Sequence, residues 1–155
     1  MDYILVAASD EERIRIVYTI LKKCGWKMAK QFLFHWIPPY PKRVIKRDCE
    51  TKKVILVWDE QLKDYTSSFQ MYVSAPKHLY VRKIATLPQY EGKGIGRQNL
   101  LFMEHYAKKH GCNKVCLDVY VRSKKAVNFY LHNGFIVVGT KRSVRFKEYI
   151  MEKSI

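Results

Sequence analysis

The sequence predicts a mixed α/β fold built around a single sheet, and three observations support this. Apolar strand-like runs alternate with stretches of helical spacing in the approximate order β-α-α-β-β-β-α-β-α-β-β. The length of 155 residues suits one domain, and the hydrophobic fraction of 48% can supply its core. No repeat, linker or low-complexity tract divides the chain. We therefore expect a single domain over residues 1–155.

The first third of the chain predicts one strand and two helices. Residues 3–7 form an apolar run typical of a strand. Ser9 or Asp10 can cap a helix whose apolar residues recur at helical spacing, and Gly25 is predicted to end it. The aromatic-rich residues 26–40 predict a second helix followed by an irregular loop, because three prolines interrupt the end of this stretch.

The remainder predicts six strands and two helices. The strands are expected at residues 54–58, 69–73, 79–86, 115–120, 135–138 and 146–151, with a turn at Ser74, Ala75 and Pro76. One helix follows a glycine-rich run and ends near Gly111. The other is capped by Ser123 and closed by Asn133 and Gly134.

Composition narrows the class of protein. No apolar run approaches the ~20 residues that span a bilayer, and the first residues lack a basic signal region, so we expect a cytoplasmic protein without a membrane partner. The four cysteines form no C-x-x-C pair, which favours free reduced thiols and no metal site. The formal net charge of +15 favours anionic partners, such as a phosphorylated cofactor, an acidic acceptor, nucleic acid or ribosomes.

The most informative segment is the glycine-rich run over residues 88–97. Gly92, Gly94 and Gly96 lie between an apolar strand and a helical pattern, an arrangement that directs backbone N–H groups at one anion. The run does not fit a Walker A loop, because Gly94 follows Lys93 where a Ser or Thr is required. It does not fit a dinucleotide fingerprint either, because Arg97 occupies the third glycine position.

The same run resembles motif A of the GNAT N-acetyltransferase superfamily, in which a strand and a proline precede [Q/R]-x-x-G-x-[G/A] at a helix start. Here the matching letters run from Ile84 to Gly96. Downstream, Ala126-Val127-Asn128-Phe129-Tyr130 with Gly134-Phe135 resembles motif B of the family. The resemblance implies a GNAT-like acyltransferase fold with a mostly antiparallel central sheet flanked by helices, and acetyl-CoA as co-substrate.

The resemblance also implies a set of residues that contact the coenzyme. Ile84, Ala85 and Thr86 would pair their backbone with the pantetheine arm, as an added strand does. Backbone N–H groups of the loop would hold the pyrophosphate. The full implied set is Ile84, Ala85, Thr86, Glu91, Gly92, Lys93, Gly94, Ile95, Gly96, Arg97, Ser123 and Asn128. At the position of Glu91 the family usually has Gln or Arg, and a carboxylate near a pyrophosphate is electrostatically unfavourable.

The expected reaction moves an acetyl group to a primary amine by direct attack in a ternary complex. Tyr130 occupies the motif B tyrosine position and is the expected general acid. Asp118 is the expected general base, and His78 is a second candidate for that role. The acceptor is an amine-bearing small molecule or protein, with an acidic or ribosomal partner compatible with the charge, and the chain is a monomer or a homodimer. The alternatives are a basic protein that binds nucleic acid or ribosomes, and a non-catalytic domain that binds acyl-CoA.

Overall fold

The computed structural model describes residues 1–74 and 76–155, so Ala75, in one predicted turn, lies outside the described residues. Within these ranges the chain forms seven strands and four α-helices. The elements are β1 (Asp2–Leu5), α1 (Glu11–Ala29), α2 (Lys42–Thr51), β2 (Lys53–Asp59), β3 (Asp64–Ser74), β4 (His78–Thr86), a short 3₁₀ turn (Pro88–Tyr90), α3 (Ile95–Lys109), β5 (Lys114–Tyr120), α4 (Lys124–His132), β6 (Ile136–Arg142) and β7 (Lys147–Ser154).

The seven strands form one sheet in the order β1-β2-β3-β4-β5-β7-β6. The β1–β2, β2–β3, β5–β7 and β6–β7 pairs are antiparallel, and the β4–β5 pair is parallel. The β4–β5 register runs from His78 opposite Lys114 to Val81 opposite Leu117. The predicted mixed, mostly antiparallel sheet flanked by helices is confirmed.

The chain divides into two compact units. The first comprises Met1–Tyr72 and Lys83–Gly96, and the second comprises Val73–Arg82 and Arg97–Ile155.

In the first unit, α1 begins as predicted at Asp10, whose carboxylate accepts a hydrogen bond from the Arg13 N–H at 3.1 Å. The apolar face of this helix forms a core with α2, β2 and the end of β4. Its buried members are Val6, Ile14, Val17, Ile20, Leu21, Cys24, Ile45, Val54, Leu56, Ala85 and Leu87.

The prediction that Gly25 ends the first helix is wrong, because α1 continues to Ala29. Gly25 is buried in the last turns of the helix. A Cβ atom there would lie 3.0 Å from the carbonyl oxygen of Trp36. Glycine at this position therefore allows the following loop to pack closely against the helix. The preference of glycine for helix ends does not predict this role.

The predicted position of the second helix is also wrong. Residues 30–41 form turns and irregular backbone, and α2 begins only at Lys42. Pro38, Pro39 and Pro41 explain the difference, because proline lacks an N–H and restricts the residue before it. Pro41 sits at the N-cap, where a missing N–H costs nothing.

The second unit is organised around β5 and α3. Its buried apolar residues include Leu79, Leu100, Met103, Val115, Leu117, Phe135 and Met151. The predicted helix ends are correct, since Gly111 and Gly134 follow α3 and α4 with φ of +74° and +92°. The last strand begins one residue later than predicted and extends to Ser154.

Candidate functional site

The glycine loop joins the short 3₁₀ turn to α3. Gly92 and Gly94 adopt φ of +76° and +79°, which L side chains rarely adopt. A Cβ atom built on either glycine would meet no atom within 4 Å, so the loop backbone faces open space on these sides. Ile95 begins α3 and is buried, which anchors the loop at the helix start. The first N–H groups of a helix have no intrahelical partner, and such a start attracts anions.

The carboxylate of Glu91 forms an ion pair with an α1 lysine. Lys27 Nζ lies 2.5 Å from Glu91 Oε2, and both side chains are about one-third exposed. Lys93 and Arg97, two other cations of the glycine-rich run, are both exposed. The Lys27 ammonium therefore neutralises the one acidic side chain between Pro88 and Arg97.

Two hydrogen bonds hold the end of the predicted pantetheine segment, at Thr86 and at Leu87. Leu87 N–H donates to the Thr66 carbonyl at 2.8 Å. Cys24 Sγ–H donates to the Thr86 carbonyl at 3.2 Å. Burial, with the Glu91 charge adding to it and the Lys27 charge opposing it, raises the pKa of Cys24 to about 12, so the thiol keeps the proton that it donates. Ala85 is buried, whereas Ile84 and Thr86 are half-buried.

The predicted coenzyme residues from Ile84 to Gly96 belong to the first unit. Arg97, Ser123, Asn128, Asp118 and Tyr130 belong to the second unit. Arg97 is exposed in the first turn of α3, and Asn128 is exposed on α4. Ser123 sits at the N-cap of α4, but its side chain makes no capping hydrogen bond. Its buried Oγ has no hydrogen-bond partner among the described residues.

Tyr130 is buried on α4. Its ring packs edge-on against Phe129 and Phe135, with centroid distances of 5.4 Å and 5.7 Å. Burial raises the pKa of the Tyr130 phenol well above its usual range. The phenol therefore carries its proton throughout the neutral pH range.

Asp118, on β5, contacts a cation and lies near a second carboxylate. Lys141 Nζ lies 2.5 Å from Asp118 Oδ2. Glu148 on β7 stands opposite Lys141 in the β6–β7 register. Burial raises the pKa of Glu148, the Lys141 charge opposes this, and the Asp118 charge adds to it. Sequence reasoning missed Glu148, because only the pairing of β5, β6 and β7 brings it to Asp118.

His78, the second predicted base, begins β4 opposite Lys114. Its ring lies 6.5 Å from that of Tyr80. The described residues contain no group of three or more His, Cys, Asp or Glu side chains that could hold a metal. Cys24, Cys49, Cys112 and Cys116 are all free thiols. Over the described ranges, no helix combines the length and apolarity needed to cross a membrane.

A cavity of about 600 Å³ lies along the second half of α1, within the first unit. We refer to it as the α1 groove. Lysines and aromatic rings dominate its wall, and Trp26 is 51% exposed there. The ammonium groups of Lys22 and Lys42 lie 5.9 Å and 5.4 Å from the Tyr18 ring. The lining residues are Tyr18, Thr19, Lys22, Lys23, Trp26, Lys27, Lys30, Pro88 and Gln89. The wall thus combines positive charge with exposed ring surface, and it reaches the residues just before the glycine loop.

Comparison with known proteins identifies the family. Residues 18–135 match the Acetyltransferase (GNAT) family, and the chain belongs to it. A curated relative, thialysine N-epsilon-acetyltransferase of Mus musculus, is 37% identical over 58 residues. This match covers 37% of the chain and about a third (34%) of the length of that relative.

Solved structures share the fold at low identity. The PaiA N-acetyltransferase of Thermoplasma acidophilum, solved in complex with coenzyme A, has a TM-score of 0.76 at 21% identity, covering 99% of this chain and 98% of that one. The ribosomal-protein-S18-alanine N-acetyltransferase of Escherichia coli has a TM-score of 0.77 at 18% identity, covering 99% and 93%. The GNAT resemblance predicted from the two motifs is confirmed.

Proposed function

We propose that this protein transfers the acetyl group of acetyl-CoA to a primary amine of an acceptor, by direct attack in a ternary complex. The observation that carries the proposal is the glycine loop, with two left-handed glycines facing open space at the start of α3. Membership of the Acetyltransferase (GNAT) family supports it. The coenzyme A present in the structure of the similar PaiA protein supports the choice of ligand.

In this proposal the coenzyme contacts come mainly from the backbone. The N–H groups of Gly92, Lys93, Gly94, Ile95, Gly96 and Arg97 hold the pyrophosphate. Each such bond to a charged group contributes about 1.5–3 kcal/mol. The backbone of Ile84, Ala85 and Thr86 pairs with the pantetheine arm. Ser123 supports this assignment with its unpartnered buried hydroxyl, and Asn128 completes the set from α4.

Three chemical tasks remain for side chains and backbone. The acceptor nitrogen must be neutral when it attacks the thioester carbonyl, the developing oxyanion needs a donor, and the departing thiolate needs a proton. Tyr130 supplies that proton in our proposal, and its raised pKa keeps the phenol protonated. A backbone N–H near Ala85 or Thr86 serves as the oxyanion donor.

Asp118 is the proposed base that takes a proton from the acceptor ammonium, so that the neutral amine can attack. Asp118 forms an ion pair with Lys141, and Glu148 places a second negative charge near both groups. We therefore propose that Asp118 works within a three-residue cluster with Lys141 and Glu148.

The α1 groove supports an anionic acceptor. Four lysines line it, and the exposed ring of Trp26 can cover an apolar part of the ligand. Polyamine acceptors are disfavoured, because a chain of net charge +15 repels them. We propose an acceptor that carries carboxylate or phosphate groups beside its amine, such as an acidic peptide or a phosphorylated amine.

The same groove favours one second candidate function, the binding of single-stranded nucleic acid. Lysines can neutralise phosphates and an exposed tryptophan can stack on bases. That function predicts steeply salt-dependent RNA binding that acetyl-CoA does not alter. A non-catalytic sensor of acyl-CoA would instead bind the coenzyme without turnover.

The test combines ligand-induced stabilisation with a thiol-release screen. Acetyl-CoA at about 100 times its Kd stabilises the fold by ~2.7 kcal/mol, so it should raise the Tm, whereas ATP and NAD should not. Free thiol should then appear with an acidic peptide N-terminus or a phosphorylated amine, and less with thialysine or polyamines. No Tm response to acetyl-CoA would refute the acetyltransferase proposal, whereas a response without thiol release from any amine would favour the sensor.

A further inference from the structure

Lys83 has an unusual backbone conformation within β4. Its φ is +50°, in the left-handed region that long side chains rarely adopt. Such a conformation costs about 1–3 kcal/mol and persists only where the surroundings hold the residue in place. The bend lies two residues beyond Val81, where the register with β5 ends, and directly before Ile84.

The side chain of Lys83 is held by a buried ion pair. Lys83 Nζ lies 2.6 Å from Asp48 Oδ2, and the two side chains are only 5% and 9% exposed. The ammonium also lies 4.1 Å from the centroid of the Tyr40 ring. Lysine is rarely this buried, and an ammonium at such a depth requires an anionic partner.

Asp48 has further donors around it. Gln70 Nε2 on β3 donates to Asp48 Oδ2 at 2.9 Å, and Lys52 Nζ lies 3.7 Å from Oδ1. Burial opposes the charged form of Asp48, but the hydrogen bonds from Lys83 and Gln70 lower its pKa below the usual value. The carboxylate thus ties α2 and β3 to the bend in β4.

We propose that Lys83 and Asp48 are positioning residues for the coenzyme, and that their ion pair fixes the bend that aims the backbone of Ile84, Ala85 and Thr86. This inference rests on the proposed function, because it concerns the segment proposed to pair with the pantetheine arm. The hydrogen bond from Leu87 N–H to the Thr66 carbonyl holds the far end of that segment. The ion pair holds its near end, so both ends are anchored in the first unit.

The test compares the neutral double variant Lys83→Met/Asp48→Asn with a matched control, Lys52→Met. The amide oxygen of the introduced asparagine can still accept from Gln70, so the double variant removes the ion pair without leaving a buried charge. Lys52→Met also removes one ammonium near Asp48, but it lies outside β4. The measurements are the Kd for coenzyme A by calorimetry, KM and kcat by thiol release, and amide exchange across residues 84–87.

A positioning role predicts about tenfold or greater weakening of coenzyme A binding in the double variant, since small displacements at a site are costly. KM for acetyl-CoA should rise more than kcat falls, and exchange should accelerate at residues 84–87 but not in β7. Lys52→Met should stay within about twofold of the parent, and Lys83→Arg should retain most of the affinity because it keeps the charged donor.

Unchanged Kd and KM in a folded double variant would overturn the inference. If that variant does not fold, Lys83→Gln/Asp48→Asn decides, because it keeps polar side chains at the buried site and removes both charges. Weaker binding at an unaltered Tm would then support positioning, and an unaltered Kd would overturn it. A parent protein that binds no coenzyme A would instead refute the proposed function itself.

Discussion

At the residue scale, the candidate chemistry depends on side chains whose surroundings differ sharply. Tyr130 is enclosed by two phenylalanine rings and keeps its proton. Asp118 forms an ion pair with Lys141 and lies near Glu148. In the proposed mechanism Tyr130 is the acid and Asp118 is the base, two roles that acetyl transfer requires. Each assignment leads to a distinct kinetic prediction.

We expect Tyr130→Phe to lower kcat by about 100-fold or more, because general acid catalysis contributes roughly that factor. KM for acetyl-CoA and the Tm should change little, since phenylalanine retains the ring contacts with Phe129 and Phe135. Thiol-release kinetics and a melting curve provide the measurements. An unaltered kcat would remove Tyr130 from the mechanism.

For the base, Asp118→Asn should lower kcat by about 100-fold or more, whereas Glu148→Gln should have a much smaller effect. In this proposal Glu148 only places a second negative charge near Asp118 and takes no proton from the acceptor. Thiol-release kinetics of the two variants provide the measurement. A loss in Glu148→Gln as large as that expected for Asp118→Asn would reassign the base to Glu148.

At the scale of elements, α1 packs against the core with one face and also contacts the glycine loop. Its buried side packs on β2 and the end of β4, while Lys27 reaches the loop before α3. The Lys27–Glu91 pair connects α1 to the glycine loop, and the two residues are 64 positions apart in sequence. Because both side chains are about one-third exposed, the pair contributes little to stability. We therefore expect the pair to affect the net charge of the glycine loop rather than the free energy of unfolding.

We expect Glu91→Gln to tighten coenzyme A binding by a few-fold at low salt, because it removes a carboxylate beside the proposed pyrophosphate site and leaves the Lys27 charge unopposed. Raising the salt concentration should reduce the gain. Calorimetric titrations at two ionic strengths measure both effects. Glu50→Gln, an exposed change of the same charge on α2, is the matched control and should have no effect. Weaker binding by Glu91→Gln would contradict this account.

At the scale of the whole molecule, the net charge of +15 and a few buried titratable groups govern the response to pH. His35 is half-buried, and burial lowers its pKa to about 4. The unfolded chain therefore binds a proton near pH 6.5 that the folded chain refuses. This difference makes the contribution of His35 to stability fall as the pH drops from about 6.5 to 4.

We expect the free energy of unfolding of the parent to decrease more than that of His35→Gln between about pH 7 and pH 4.5. Glutamine does not titrate, so the difference between the two chains isolates the histidine from the carboxylates that also protonate. Urea denaturation at several pH values provides the measurement. Parallel stability curves for the two chains would contradict this account, because they would show that the pKa of His35 is the same in the folded and the unfolded chain.

The sequence alone determined the features that depend on local chemistry. A strand followed by alternating glycines and a helix predicts an anion-binding loop, and a second motif in the right order predicts the family, because both patterns act through nearby backbone. The helix stops at Gly111 and Gly134 followed from the same local rules. The same rules gave a wrong prediction for Gly25, because this glycine packs closely against Trp36 in the following loop.

Only the tertiary structure decided which charges meet. Lys83 and Asp48 are 35 residues apart, and no local pattern marks either of them as a partner of the other. Lys27 neutralises Glu91, and Glu148 reaches Asp118 only through the pairing of β5, β6 and β7. Coulomb energies depend on the distance between the charges and on their burial. Neither quantity can be predicted from the sequence alone. The candidate anion-binding loop is thus predictable from sequence, whereas the charged side chains that lie around it are not.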